Sequence, residues 1–197
     1  MPSEPIMATN KVMLASKSPR RKELLQSIGL KFDVVNREVD EIYRDGFSFE
    51  KQIQLIALDK AIAVHQEFLD SMIIAGDTIV VCDNQLLGKP KDIEEAKRML
   101  SLLSGKRHQV ISGVCVVDSK DIQIYSEVSE VYVKDISLDT IDEYISRCQP
   151  LDKAGAYGIQ DDYFQQFFLD FIEGEFENVM GLPLIRLKDL LSRKGML

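Results

Sequence analysis

Residues 11–29, KVMLASKSPRRKELLQSIG, show how this chain alternates between strand and helix. Lys11–Ala15 is a short apolar run of strand type, and the polar residues Ser16–Pro19 break it. Within Arg20–Ile28 the apolar residues recur at helical spacing, and Gly29 is suited to end a helix. The segment therefore predicts a strand, a tight loop and a helix in direct succession.

The rest of the chain continues this alternation and predicts an α/β fold. Further strands are predicted at Lys31–Val35, Met72–Val81, Gln109–Asp118, Asp121–Val133 and Phe164–Glu173. Further helices are predicted at Glu50–Leu69, Ile93–Leu103, Asp139–Ser146 and Leu182–Leu191, the last with Pro183 in its first turn. We expect Gly76-Asp77-Thr78 to interrupt the third strand. This order, with one hairpin, favours a mixed twisted sheet with flanking helices.

Length and composition restrict the class of protein. With 197 residues, 45% of them hydrophobic, we expect one domain over residues 11–197 after a short flexible tail at residues 1–10. No apolar run approaches the roughly 18 residues of a membrane span, and the first ten residues lack the apolar region of a signal peptide. The cytoplasm is therefore the expected location. The three separated cysteines indicate neither a disulfide framework nor a zinc site.

The net charge of −8 argues against nucleic acid as a partner, since binding it usually requires a basic surface. An acidic protein binds a polyanionic small molecule where positive charge is concentrated locally or a metal ion intervenes. Such a concentration follows the first predicted strand at Lys17, Arg20, Arg21 and Lys22. The sequence thus indicates a small anionic ligand.

The loop before the first helix has the features of a phosphate site. Ser18 is suited to cap the helix and Pro19 to begin it. A helix N-terminus offers free N–H groups to an anion, arginine can bind phosphate oxygens bidentately, and Ser16 and Ser18 add hydroxyl donors. The alternative is a capped helix with a solvated basic first turn, although Arg20 and Arg21 would then oppose the helix dipole.

Asp77 is the leading candidate for activating a water molecule. It lies in a buried predicted strand, where a charge is costly unless it is paired or bound to a metal, and Gly76 lets a ligand approach. The alternative is an aspartate that caps a turn. A second acidic group at Glu38, Asp40 and Glu41 is open to either a site or a solvated loop.

Two lysines and one amide are further candidates. Lys60 lies in the long helix and Lys89 on a turn after the Asp77 strand, and either could contact phosphate. The small, glycine-rich segment Lys153–Gln160 lets the backbone approach a ligand closely, with an ordinary loop as the alternative. The amide of Gln160 has the donor and acceptor needed to recognise a base edge.

These motifs together resemble the Maf family of nucleoside triphosphate pyrophosphatases. The similar blocks occur in order over roughly Lys11–Leu191. They are Leu14–Leu25, Val39–Glu41, Gly76–Val80, Gly88–Pro90, Leu103–Gly105, His108–Val110, Leu151–Gln160 and Gly181–Pro183.

The resemblance implies a fold related to the inosine triphosphate pyrophosphatases, with a cleft between two lobes. It implies cleavage between the α- and β-phosphates, giving a monophosphate and pyrophosphate, with Mg²⁺ or Mn²⁺ as cofactor. Asp77 matches the proton acceptor, and Glu41 matches a carboxylate at the metal or the water. Both are expected metal ligands, and which lies closer stays open. Arg21, Lys60 and Lys89 match cations on the phosphate side.

Three positions indicate which nucleobase the protein prefers. Arg20, Thr78 and Gln160 resemble the dTTP/UTP type, whereas the 7-methyl-GTP type has a bulky aromatic residue, glutamine and glutamate at these places. A neutral uracil or thymine edge suits an amide, and a cationic methylated guanine suits a carboxylate and an aromatic plane. One departure follows Gln160, where Asp161–Phe164 replaces the glycines usual in the family.

Two other functions are also compatible with these residues. A 7-methyl-GTP pyrophosphatase would share the chemistry with a different base preference. A nucleotide-binding regulator of cell division would act through a partner without turnover, although the presence of Glu41, Asp77 and Lys89 argues against it. By resemblance we also expect a homodimer.

Overall fold

A computed structural model describes residues 11–197, and the tail predicted at residues 1–10 lies outside them. The strands are β1 (Val12–Ala15), β2 (Asp33–Val35), β3 (Met72–Cys82), β4 (Gln85–Leu87), β5 (Arg107–Val117), β6 (Ile122–Val133) and β7 (Leu169–Glu173). The helices are α1 (Pro19–Ser27), α2 (Phe49–His65), α3 (Ile93–Leu103), α4 (Leu138–Cys148), α5 (Asp162–Phe167), α6 (Phe176–Met180) and α7 (Leu184–Arg193). Two 3-10 turns, Pro150–Asp152 and Ala154–Ala156, lie between α4 and α5.

All seven strands belong to one mixed sheet. Their order is β2-β1-β3-β5-β6-β7, and β4 pairs with the outer end of β3. β1 is parallel to β2 and β3, whereas the pairs β3–β5, β5–β6 and β6–β7 are antiparallel. The predicted hairpin is β5–β6. The sheet and its helices confirm the predicted α/β class.

The two faces of the sheet pack against different helices. α2 covers one face with a stripe of buried residues at helical spacing, Ile53, Ile56, Ala57, Ala61 and Val64. The other face packs against α1, α3, α4 and α7 in the largest core cluster. Because side chains alternate along a strand, odd-numbered residues of central β3 face α2 and even-numbered residues face this larger core.

A gap beside β3 positions the site. β1 ends at Ala15, which pairs with Ala75, and β4 begins to pair with β3 only at Val80. On this side residues 76–79 of β3 therefore have no strand partner, although their other side stays paired with β5. Side chains from both faces of β3 can reach the gap from one short stretch of chain.

Four predicted elements differ from the structure. β3 is continuous through Gly76-Asp77-Thr78, because Gly76 keeps an ordinary φ and all three residues pair with β5. Residues 164–167 are helical, since the spacing of Phe164 and Phe168 buries both rings on one side. α2 ends at His65, four residues before the predicted end. Pro183 is the N-cap of the last helix and precedes its first turn.

None of the described helices has the length and hydropathy needed to cross a membrane.

Candidate active site

One cleft of about 630 Å³ opens at the gap beside β3. Every residue predicted for the site lines it: Ser16, Ser18, Arg20, Arg21, Glu41, Lys60, Asp77, Thr78, Lys89 and Gln160. Lys17 also lines the cleft, whereas Lys22 is not among its lining residues. The fold therefore brings together side chains that are up to 144 positions apart, from Ser16 to Gln160.

The loop between β1 and α1 forms one wall. Ser18 caps α1 as predicted, because its side chain accepts from the Arg21 backbone N–H at 3.4 Å, and Pro19 is the first helical residue. The Ser16 hydroxyl in turn accepts from the Ser18 backbone N–H at 3.1 Å. These contacts hold the N-terminus of α1 toward the cleft, where its dipole favours an anion.

Arg21 joins three segments of the chain beneath this wall. Its guanidinium donates to the Gly181 carbonyl at 2.8 Å, to Thr78 Oγ1 at 3.1 Å and to Ser16 Oγ at 3.2 Å. The side chain is buried, and burial lowers its pKa while the charge of Asp77 opposes that shift. Arg21 therefore fixes the geometry of the site as well as adding positive charge to the cleft.

The other cations of the loop are more exposed. Arg20 Nη1 lies 3.1 Å from Asp152 Oδ2, and the exposed Lys17 lies 3.7 Å from Glu38. Lys89 is exposed on the turn after β4 and lines the same cleft. Because surface ion pairs of this kind hold their partners weakly, these side chains can turn toward a phosphate group.

Lys60 bridges the two carboxylates of the site. Its ammonium lies 2.7 Å from Glu41 Oε1 and 2.7 Å from Asp77 Oδ1. The side chain of Asp77 is only 13% exposed, so the sequence expectation that this buried charge must be compensated is correct. The two acidic groups thus meet at one point of the cleft, although they come from a loop and from β3.

The position of α2 explains why Lys60 reaches Asp77. Asp77 faces α2 between Ala75 and Ile79, and Lys60 lies on the same helix stripe as Ile56. Gly113 of β5 pairs with Asp77, and a Cβ there would lie 2.4 Å from the Ile53 carbonyl oxygen of α2. The absence of a side chain at this position lets α2 lie close enough to the sheet for the ion pair to form.

Thr78 faces the opposite side of the sheet and belongs to a buried polar network. Its hydroxyl accepts from Arg21, lies 2.8 Å from Ser112 Oγ and 3.2 Å from the Gly181 carbonyl. Ser112 is fully buried and also donates to the Asn178 carbonyl at 3.1 Å. Thr78 is therefore held in one orientation by protein groups.

A smaller cavity of about 290 Å³ lies next to the cleft and shares Glu41, Asp77, Thr78 and Lys89 with it. Tyr43 lines this second cavity. Partial burial, followed by the charges of Asp77 and Glu41, raises the pKa of Tyr43 to about 12, so its phenol stays a proton donor.

Gln160 contributes an amide to the lining of the cleft. Its Oε1 is buried, and no residue in the described part of the chain donates a hydrogen bond to it. The preceding segment makes tight turns, with Gly155 and Ala156 both at positive φ. An unpaired buried acceptor at a ligand cleft is suited to a donor on the ligand.

Sequence reasoning missed four residues of this site. Asp152 and Gly181 lie inside family-like blocks, but nothing in the sequence indicated which partner each would contact. Ser112 had a weak signal as a polar residue within an apolar strand run. Tyr43 follows the acidic group by two positions and was not distinguishable from a loop residue.

Potential metal ligands are few among residues 11–197, where no group of three or more histidine, cysteine, aspartate or glutamate side chains converges. Glu41 and Asp77 are the carboxylates that meet, through Lys60. A divalent ion held there would take its remaining ligands from phosphate oxygens or water, as Mg²⁺ commonly does.

Sequence comparison agrees with the geometry. The chain matches the Maf-like protein family over residues 11–194. It is 44% identical over 184 residues to a dTTP/UTP pyrophosphatase of Syntrophomonas wolfei, covering 92% of this chain and 96% of that protein. A dTTP/UTP pyrophosphatase of Caldicellulosiruptor saccharolyticus is 44% identical over 191 residues, with 94% and 95% covered. One from Clostridioides difficile is 40% identical over 184 residues, with 92% and 94% covered.

A solved structure confirms the fold alone. The Ham1 protein of Staphylococcus aureus superimposes with a TM-score of 0.56 at 13% sequence identity. The match covers 94% of this chain and 100% of that chain.

Proposed function

This chain belongs to the family of Maf-like proteins, and from that premise we propose that it hydrolyses nucleoside triphosphates to the monophosphate and pyrophosphate. The observation that supports this most is the cleft that is lined both by the basic N-terminus of α1 and by the Glu41–Lys60–Asp77 group. dTTP and UTP are the proposed substrates, in agreement with the names of the relatives.

The triphosphate would bind along the loop that precedes α1. Backbone N–H groups at the helix start and the hydroxyls of Ser16 and Ser18 would donate to phosphate oxygens. Arg20, Lys17 and Lys89 would turn toward the phosphates to neutralise the charge that develops on the leaving group.

Asp77 would act as the proton acceptor. A water oxygen attacks phosphorus, the new P–O bond forms as the anhydride bond between the α- and β-phosphates breaks, and the water proton passes to the carboxylate. The anhydride oxygen and its electron pair leave with pyrophosphate. Lys60 would hold Asp77 in place, because its ammonium already lies 2.7 Å from that carboxylate.

Glu41 and Asp77 suit a divalent cation such as Mg²⁺ or Mn²⁺, because hard cations take carboxylate oxygens and complete their coordination with substrate phosphates. When bound, the ion would polarise phosphate oxygens and offset their charge.

Gln160, Arg20 and Thr78 would set the base preference. The unpaired Oε1 of Gln160 is an acceptor for the imide N–H of uracil or thymine, and its NH₂ group is a donor for a base carbonyl. Thr78 would act through the network that fixes Arg21.

We further propose that the enzyme works in the cytoplasm, on the free nucleotide pool and without nucleic acid, and as a homodimer.

The test is pyrophosphate release from a panel of dTTP, UTP, CTP and 7-methyl-GTP with Mg²⁺ or Mn²⁺. Faster release from dTTP and UTP is the expected result. Faster release from 7-methyl-GTP would retain the chemistry and contradict the assignment of the base-contacting residues.

Asp77→Asn distinguishes the enzyme from a nucleotide-binding regulator. The change removes the proton acceptor and preserves size, so turnover should fall at least about a hundredfold while the nucleotide still binds. Calorimetric titration of the same sample measures that binding. A variant with wild-type turnover would remove Asp77 from the mechanism.

A further inference from the structure

Tyr144 supports the segment that carries Gln160, although it does not line the cleft. It is a fully buried residue of α4. Its hydroxyl donates to Asp161 Oδ2 at 2.7 Å and accepts from the Gly158 backbone N–H at 3.0 Å. One phenol therefore contacts the residues on both sides of Ile159-Gln160.

Further contacts close this segment, the Gly158–Asp161 turn. The Asp161 backbone N–H donates to the Gly158 carbonyl at 3.1 Å, and Gln165 Nε2 donates to the Ile159 carbonyl at 2.9 Å. Asp161 begins the stretch Asp161–Phe164, which departs from the usual glycines of the family, and Gln165 follows that stretch directly. Here side-chain contacts fix the turn.

The turn also places the amide of Gln160 near the carboxylate of Asp161. A Cβ on Gly158 would lie 2.7 Å from Asp161 Oδ2 and 2.9 Å from Gln160 Nε2, so the carboxylate and the amide nitrogen lie on the same side of the turn. The negative charge of Asp161 favours the NH₂ end of the amide on its side. Oε1 is then the end left without a partner in the described chain.

The position of the Tyr144 hydroxyl is itself fixed by packing. Its ring lies against Phe164 and Phe168, with centroids 5.9 Å and 5.1 Å away. Burial and the hydrogen bond to Asp161 raise the pKa of Tyr144, which therefore remains a proton donor toward the carboxylate. The aromatic cluster and the hydroxyl form one rigid support for the turn.

We propose that Tyr144 is a positioning residue for base selection, which holds Asp161 and Gly158 so that the Gln160 amide keeps one orientation. Uracil presents N–H and C=O where cytosine presents a bare nitrogen and NH₂, and a glutamine that can flip its amide matches both. A fixed amide accepts uracil or thymine and leaves unpaired groups with cytosine. The inference rests on the proposed function, because it requires Gln160 to contact the pyrimidine.

The test compares Tyr144→Phe with Tyr163→Phe for kcat and KM on UTP and CTP. Tyr163 belongs to the same aromatic cluster, but its hydroxyl donates to Glu143 at 2.9 Å and not to the turn. Tyr144→Phe should lower the UTP:CTP ratio of kcat/KM about tenfold, mainly through KM, because an amide that can flip loses a preference worth about one hydrogen bond to the base. Tyr163→Phe should leave the ratio unchanged.

The ratio of the dissociation constants of UTP and CTP, measured by calorimetry, tests the inference without turnover. A chain that binds but does not hydrolyse would contradict the proposed function and leave this test intact. An equal ratio in wild type and Tyr144→Phe, or an equal loss for both nucleotides, would overturn the inference. If Tyr144→Phe does not fold, Asp161→Ala removes the Tyr144–Asp161 hydrogen bond through its less buried partner. This variant should lower the UTP:CTP ratio by the same amount.

Discussion

Arg20 and Arg21 are adjacent in the sequence and have different structural roles. Both were expected to contact phosphate, since both follow the helix cap. In the structure Arg21 is buried and donates to two hydroxyls and a carbonyl, whereas Arg20 makes one ion pair with Asp152. The sequence predicts that both arginines lie near the helix start. It does not predict that Arg21 is buried while Arg20 can rotate, because that difference depends on contacts with residues that are distant in the sequence.

Replacing each arginine by lysine tests this difference. Arg21→Lys keeps the charge but cannot reach three separate acceptors, so we expect the free energy of unfolding to fall by about 2–4 kcal/mol. Arg20→Lys breaks a partly exposed pair and should change it by less than about 1 kcal/mol. Urea denaturation measures both, and equal values for the two variants would refute the structural role of Arg21.

At the scale of the secondary-structure element, the closeness of α2 to the sheet determines the Lys60–Asp77 contact. The backbone of α2 at Ile53 lies so near Gly113 that a Cβ would approach its carbonyl oxygen to 2.4 Å. The helix was predictable from its own periodicity. The close approach of Ile53 to Gly113 was not predictable, because these residues are sixty positions apart and a glycine in a strand has several explanations.

Gly113→Val should push α2 away from the sheet. We expect a loss of about 1–3 kcal/mol in unfolding free energy from overpacking, and at least about a tenfold fall in kcat because Lys60 moves relative to Asp77. Gly88→Ala is the stability control, since that glycine has open space and an ordinary φ. Wild-type kcat in Gly113→Val would show that the close approach of α2 is not needed.

At the scale of the whole molecule, the cleft exists because two strands beside β3 do not meet. The local sequence predicted most strands and helices, including the strand, loop and helix around Ser18. It could not predict that β1 pairs with β3 only as far as Ala75 while β4 pairs with β3 only from Val80 onward, since strand register depends on long-range pairing. It also gave a strand at Phe164, where short aromatic runs suit either structure.

The stability of the whole chain should depend on pH through His108. Burial lowers its pKa from 6.5 to about 4, and its Nε2 lies 2.7 Å from the Tyr157 hydroxyl. Between these pH values the unfolded chain binds a proton that the folded chain does not, so stability falls as pH decreases from about 6.5 to about 4. This contribution amounts to about 3 kcal/mol at most.

His108→Gln removes this titrating group and keeps a polar partner for Tyr157. The fall in unfolding free energy between pH 6.5 and pH 4 should therefore be smaller in the variant than in wild type. Thermal or urea denaturation across that range provides the comparison. Identical pH dependence in both proteins would mean that His108 is not buried in its neutral form.

The proposed reaction breaks the bond between the α- and β-phosphates in the cleft beside β3. Phosphorus NMR of dTTP incubated with the wild-type protein and Mg²⁺ identifies the products themselves. We expect the signals of dTMP and pyrophosphate to grow in equal amounts. Appearance of dTDP and inorganic phosphate, or an unchanged dTTP spectrum, would contradict the claim.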